Sequence, residues 1–399
     1  MGATMADPFP YSDTHRGIPA DDGGRSKPQP SRISPWGDRH SLPTAPMKRG
    51  SHGTRVTLAI VAQVAGVSRA TASRALTGSP LVRVDTRRAV QRVADRLGYV
   101  PSQAGRALVT GRSNAIALVV FEPTTLLFGD PFLPRLLRGL GEVLAAGDLQ
   151  LVLFAPQTQA DVDRLERHLA AGHADGVLLV SVPEAHPLPG RLLSRGIPVV
   201  IGGRPCEPQR FTHVDVDNVA GAVHAVAHLA AGGRRCIATI TGRRDVAAGQ
   251  DRLRGYHEGV RAAGLPVDEG LVEAGDFTRD GGVRAMRVLL LRRPDLDAVF
   301  VASDVMAAGA LQALREAGRR VPEDVAVVGY DDDPLAVSLH PPLTSVRQPI
   351  EEMGREMARL LVGAINSPHP TPRRVLLTTR LEVRVSSAPA PPRPPARST

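Results

Sequence analysis

Between residues 115 and 346, short apolar runs recur at 115–121, 149–154, 176–180, 198–201, 213–216, 236–241, 298–302, 325–330 and 344–346. Amphipathic stretches separate most of them, at 134–146, 161–171, 218–231, 252–263, 278–291, 304–317 and 350–365. The runs are short and mainly apolar, so they read as strands. Strand followed by helix, repeated, dictates parallel sheets with helices on their faces. Roughly 275 residues and about nine strands exceed one comfortable sheet, so two lobes are expected.

What precedes this region is different. Residues 51–113 hold ten arginines against two aspartates, a net of +8 within a chain whose total is +9. Lysine occurs only at Lys27 and Lys48, so arginine richness by itself says little. Its concentration in one segment, beside a nearly neutral body, is the footprint of a polyanion-binding module. Residues 1–53 are rich in Pro, Gly, Ser and Asp without periodicity and read as a disordered extension; the Pro-rich stretch 387–399 reads as a disordered tail. The early aspartates Asp7, Asp13, Asp21 and Asp22 argue against a secretory leader. No apolar run reaches the roughly 18 residues a membrane helix needs. A cytoplasmic chain is expected. Cys206 and Cys236 have neither disulfide-framework nor metal-ligand spacing.

The basic segment, 54–100, reads as an all-α helix-turn-helix head. Thr57 is placed to cap a first helix in which Leu58, Val61, Ala62 and Ala65 share a face. Gly66 suits the tight turn, Val67 plugs the small core, and Ser68 caps a second helix over 69–76. On that helix Arg69, Ala70, Thr71, Ser73 and Arg74 are free to face outward, with Ala72, Ala75 and Leu76 inward. Arginine bonds guanine bidentately, and Ala and Thr methyls contact thymine, so this face suits base reading. A third helix, 86–97, is expected to close the core with Ala89, Val90, Val93 and Leu97 and to turn its arginines toward phosphates.

The run Val-Ala-Gln-Val-Ala-Gly-Val-Ser-Arg-Ala-Thr-Ala-Ser-Arg-Ala-Leu, with the later Leu-Gly-Tyr-Val-Pro-Ser, resembles the lactose-repressor (LacI-type) family of bacterial transcription regulators. The resemblance covers about 56–386. It implies the helix-turn-helix head, a hinge over 101–112, and a two-lobed, periplasmic-binding-protein-like (type I) α/β sensor over 113–386, with crossovers near 212–217 and 345–350. It implies that Arg69 and Ala70 read bases, supported by Thr57, Ser68, Thr71, Ser73 and Arg74. In the hinge, Arg106 would meet DNA and Leu108 would wedge into the minor groove, the segment becoming helical only on operator DNA. Two positions depart from the family: Ile60 replaces the usual Asp, and Gly105 replaces the usual Ala. Glycine lowers helical propensity by about 1 kcal/mol.

In the sensor, the resemblance places effector-binding residues at strand ends. Gly-Asp-Pro-Phe (129–132) resembles a family Asn-Pro-Phe-Phe loop and contributes Asp130 and Phe132. Asp-Arg-Leu-Arg-Gly-Tyr (251–256) contributes Arg252, Gly-Asp-Phe-Thr (275–278) contributes Phe277, and two further strand ends contribute Asp304 and Asp331. The crossover run 341–348 contributes Gln348. An arginine, carboxylates and an aromatic ring suit a polyhydroxylated ligand. A sugar leads, with purines and other metabolites also effectors in this family. The expected partners are double-stranded operator DNA, a small-molecule effector and a second copy of the chain, since one head reads one half-site. No cofactor or metal is expected; His224 and His228 stand four apart on one helix without an evident third ligand. A transport-system sugar-binding protein is the alternative, disfavoured by the basic head. An enzyme lacks any P-loop or Gly-x-Gly-x-x-Gly signature after the first strand.

Overall fold

The computed structural model describes residues 56–100 and 112–389. The expected N-terminal extension and the hinge positions Gly105, Arg106 and Leu108 lie outside the described residues.

Three helices form the head: α1 (Leu58–Val64), α2 (Arg69–Leu76) and α3 (Val84–Leu97). Gly66 turns the chain between the first two at φ +66°, a left-handed conformation that side-chain-bearing residues resist. Ser68 caps α2 by accepting the Thr71 N–H at 3.1 Å. Thr57 occupies the N-cap position of α1, but its side chain makes no capping bond. Val61, Ala62, Ala72, Ala75, Val82, Val90 and Ala94 form the core, with Leu58, Val67 and Leu97 packed against it. Ala94 is buried where Ala89 was expected: it stands four residues after Val90 on the same face, while Ala89 is only half-buried at the margin. Arg87, expected to face phosphate, instead donates to the Ser79 carbonyl at 2.7 Å and holds the loop before α3.

The remaining described chain builds two six-stranded sheets. The first lobe contains β1 (Ala115–Val120), α4 (Thr124–Gly129), α5 (Phe132–Ala146), β2 (Gln150–Phe154), α6 (Gln159–Ala170), β3 (Gly176–Val180), α7 (Leu188–Ser194), β4 (Val199–Gly202) and β5 (Thr212–Val216). The second contains α8 (Asn218–Ala231), β6 (Ile237–Thr241), α9 (Ala247–Ala262), β7 (Val272–Ala274), α10 (Arg279–Arg292), β8 (Ala298–Val301), α11 (Asp304–Glu316), β9 (Ala326–Asp331), α12 (Pro334–Ser338) and β10 (Thr344–Arg347). The chain then returns to the first lobe as α13 (Ile350–Asn366) and β11 (Arg374–Leu377), and crosses once more to β12 (Arg380–Glu382). The orders are β11-β5-β4-β3-β1-β2 and β12-β10-β9-β8-β6-β7. All pairs are parallel except β12 with β10. β1 sits inside its sheet and is buried at all six positions, as its unbroken apolar run requires. Each sheet carries a packed apolar core on both faces.

Two features differ from the sequence-based expectation. The chain passes between the lobes three times, the third at 378–379. The body also extends through Ser387, placed in the tail above: its buried hydroxyl lies 2.8 Å from His228 Nε2 and 2.6 Å from Thr344 Oγ1. His228 is therefore used in docking the segment that follows β12. Among the described residues no three His, Cys, Asp or Glu side chains cluster as metal ligands, and no helix is long and apolar enough to cross a membrane.

Candidate functional site

On the head, α2 turns Ala72 and Ala75 inward and leaves Arg69, Ala70 and Arg74 exposed, with Thr71 and Ser73 at the margin. Ser68 fixes the start of this face, its hydroxyl also 2.9 Å from Thr71 Oγ1. The arrangement presents one face of a short helix with guanidinium groups and small methyl-bearing residues, the shape and chemistry that enter a major groove.

Between the lobes lies a cavity of about 410 Å³. The carboxyl ends of strands surround it, where ligands bind in open α/β sheets. From the first lobe come Asp130 and Phe132 after β1, His186 after β3, Arg204 after β4 and Asp215 at the end of β5; from the second come Arg252, Phe277, Asp331 and Gln348.

Arg252 organises the second-lobe wall. It is buried, its Nε donates to Asn218 Oδ1 at 2.9 Å, and its Nη1 donates to the Ala302 carbonyl at 2.5 Å. The guanidinium lies 3.8 Å from the Tyr330 ring centroid, a cation–π contact, and 3.5 Å from Asp331 Oδ1. Asp331 also accepts from Gln348 Nε2 at 2.5 Å. Burial raises the Asp331 carboxyl well above its ordinary range, and Arg252 opposes this. The backbone at Asp331 is strained, with φ +107°. The far edge of the Phe277 ring closes on Gly242: a Cβ there would stand 2.0 Å from Phe277 Cζ, so glycine is required at that wall.

The first-lobe wall is acidic. Asp130 Oδ1 accepts the Phe132 N–H at 2.8 Å, and burial raises its carboxyl. Asp215 Oδ1 accepts the Val216 N–H at 2.8 Å; burial pushes its carboxyl up to about 6, and the nearby Asp251 adds to the rise. Across the cleft mouth, Arg204 grips Asp251 of α9 bidentately at 2.9 and 2.9 Å. Arg243 reaches Glu122 at 2.7 Å, and Gln250 donates to Glu184 at 2.6 Å.

Of the expected effector residues, Asp130, Phe132, Arg252, Phe277, Asp331 and Gln348 come together in this cavity. Asp304 does not. Its side chain is fully buried behind the wall, Oδ1 accepting the Ser345 hydroxyl at 2.7 Å and Oδ2 the Asp333 N–H at 2.9 Å. With burial pushing its carboxyl up to about 8, it ties α11 to β10 and the β9 end instead of facing a ligand. Sequence reasoning missed Arg204, Asp215, Asn218 and His186. The first three follow or end predicted strands, so applying the strand-end rule to every run would have found them.

A model described as bacterial regulatory proteins, lacI family, matches residues 57–102, and one described as a periplasmic binding protein-like domain matches 226–387. The HTH-type transcriptional regulator CelR of Thermobifida fusca is 50% identical over 334 residues, covering 83% of this chain and 98% of the relative. This chain belongs to the LacI family. It is a DNA-binding transcription regulator with a two-lobed, effector-controlled sensor. The ribose operon repressor of Escherichia coli (strain K12), another LacI-family relative, is 33% identical over 341 residues, covering 83% of this chain and 99% of that protein. Among solved structures, a transcriptional regulator CelR-cellobiose complex is 48% identical with a TM-score of 0.67, covering 83% of this chain and 100% of that one. The lac repressor dimer bound to operator and the anti-inducer ONPF shares the fold, with a TM-score of 0.74 at 23% identity, over 84% of this chain and 100% of that one.

Proposed function

We propose that this chain is a cytoplasmic homodimeric repressor that acts by binding and not by catalysis, with paired heads on a two-fold operator and a neutral disaccharide, cellobiose first, as effector. Arg69 and Ala70 read base edges, with Ser68, Thr71, Ser73 and Arg74 in support; Arg106 and Leu108 act in the hinge. The effector is held by Arg252, Asp331 and Gln348 from one lobe and by Asp130, Phe132 and Asp215 from the other, with Phe277 as a ring platform.

The observation that carries this reading is the composition of the cavity wall. Glu122, Asp130, Glu184, Glu207, Asp215 and Asp331 face it against Arg204, Arg210 and Arg252. Six carboxyl groups against three guanidiniums disfavour a phosphorylated ligand, and carboxyl groups in either protonation state hydrogen-bond hydroxyls. The volume falls within the range of small-molecule sites, roughly 300–1,000 Å³. The similarity to CelR, known as a cellobiose complex, points to the same sugar here.

Calorimetric titration of cellobiose, ribose and glucose 6-phosphate tests this. Cellobiose should bind and the phosphorylated sugar should not. Arg252→Lys keeps the charge but loses the planar fork shared between Asn218 and Ala302, so cellobiose affinity should fall about tenfold or more. Tight binding of the phosphosugar, or full affinity in the lysine variant, refutes the assignment.

A further inference from the structure

Arg135 faces no part of the cavity, yet it touches the backbone behind two cavity residues. It lies in the first turn of α5, three residues after Phe132 and five after Asp130. Within its own lobe it pairs with Glu351 of α13, Nε to Oε1 at 2.9 Å and Nη2 to Oε2 at 3.1 Å. Its remaining donors cross to the other lobe. Nη1 donates to the Asp331 carbonyl at 3.0 Å and to Asp333 Oδ1 at 3.4 Å, and Nη2 donates to the Gln348 carbonyl at 3.4 Å. Asp331 and Gln348 are the two residues whose side chains bond each other at 2.5 Å in the cleft wall. The Asp333 carboxyl is fully buried, and its other oxygen has no partner among the described residues.

We infer that Arg135 is the positioning residue that passes cleft occupancy from the end of β9 and the β10 crossover to α5 of the lobe that follows the head in the chain. This rests on the effector reading above. A ligand that engages Asp331 or Gln348 moves or fixes their backbone carbonyls, and the fork reads both at once. The guanidinium is planar and its donors are rigidly disposed, so displacement of the carbonyls must displace the group or break its bonds. Glu351 anchors the same fork to α13, and α13 packs along α5. The displacement is thereby delivered to the first lobe as a body. A ligand shifts a conformational equilibrium only through differential contacts with the two states, and these bonds across the lobe boundary are such contacts at one remove.

The test uses the full chain carrying Arg135→Met or Arg135→Lys, with cellobiose as the ligand and, as DNA, a duplex selected from random sequence by the wild-type protein. Titration calorimetry reads sugar affinity, and fluorescence anisotropy reads duplex affinity with and without sugar. Arg135→Met should bind cellobiose within about threefold of wild type, while the sugar-induced change in duplex affinity falls by about tenfold or more. Arg135→Lys, which retains a pairing charge for Glu351 but not the fork, should recover part of that change. An unchanged sugar response in Arg135→Met overturns the inference, as does a parallel loss of sugar affinity and response in both variants. Hydrogen exchange on the sugar-free proteins keeps the outcome separate from the effector's identity. If wild type binds no cellobiose, the effector reading fails on its own. Exchange then decides on Arg135: faster exchange in Arg135→Met at both 329–333 and 132–138 supports the bridge, and a change on one side alone overturns it.

Discussion

Asp215→Asn should make this protein more stable at neutral pH while weakening its grip on effector. Asp215 is 8% exposed, and burial pushes its carboxyl from an ordinary 3.8 to about 6. At about 1.4 kcal/mol for each pH unit between the two states, the folded protein carries a penalty of about 3 kcal/mol once this carboxyl ionises. The sign follows from proton binding. Between pH 4 and 6 the folded state keeps a proton that the unfolded chain has released, so this group's contribution to stability falls across that window and stays flat above it. Asparagine keeps an Oδ1 acceptor for the Val216 N–H, now bonded at 2.8 Å, and removes the ionisation. The assay is urea unfolding followed by circular dichroism, wild type against variant, from pH 4 to 8. The variant's advantage should grow by about 3 kcal/mol between pH 4 and 6 and then hold constant. A difference independent of pH would refute the reasoning, since it would mean that the wild-type carboxyl does not titrate in that window. Natural chains keep such destabilising groups where function needs them, and a carboxylate facing the cleft is such a case.

Two further outcomes test the head and the sheet core. Arg69→Ala should lose discrimination at particular base pairs and keep salt-sensitive nonspecific binding, measured by competition against scrambled duplexes at several salt concentrations; uniform weakening across all sequences would remove Arg69 from base reading. Leu118→Ala, at a fully buried position in the middle of β1, should cost about 2–5 kcal/mol in chemical unfolding, and a loss below about 1 kcal/mol would contradict the packing described.

Local chemistry made some elements readable to the residue. The helix expected over 218–231 is α8 with those bounds, because Asp217 caps its start by accepting the Ala220 N–H at 3.0 Å and Gly232 follows its end. The strand at 176–180 is fully buried, so nothing interrupts its apolar run. Strands β7, β11 and β12 were invisible because all three are short and lie at sheet edges, where polar residues are tolerated and break the apolar run. The third crossover was lost with them. Helix α7 was masked by Pro187 and Pro189, which sit at its start, where a missing N–H costs nothing. In the site, the motifs that resemble the family's found Arg252, Phe277 and Asp331. They also drew in Asp304, since a strand-end aspartate that faces a cavity and one that faces a neighbouring strand look alike in sequence. Ser345 and Asp333, distant in the chain, decide between the two. Arg135 gave no local signal, because all its partners arrive from 196 or more positions away.

The contacts at the cleft mouth bear on how such a protein switches. Arg243 with Glu122, Arg204 with Asp251, and Gln250 with Glu184 tie the lobes together. The arginines keep part of their surface in water, Arg204 30% and Arg243 19%, but their carboxylates Asp251 and Glu122 are only 6% and 16% exposed, so each ion pair contributes on the order of 1–3 kcal/mol. Together they amount to a few kcal/mol, similar to the 1–3 kcal/mol by which effectors typically shift affinity at a second site. A closed form held this weakly can be biased by a ligand, whereas one locked by a large apolar seam could not. The bias requires contacts that exist in one lobe arrangement only. Arg252, Asp331 and Gln348 lie in or beside one lobe, and Asp130 and Asp215 in the other. A ligand that satisfies only the Arg252 side binds both arrangements equally and shifts nothing, however tightly it is held. Reach across the cleft, more than affinity, therefore separates an effector from a mere occupant.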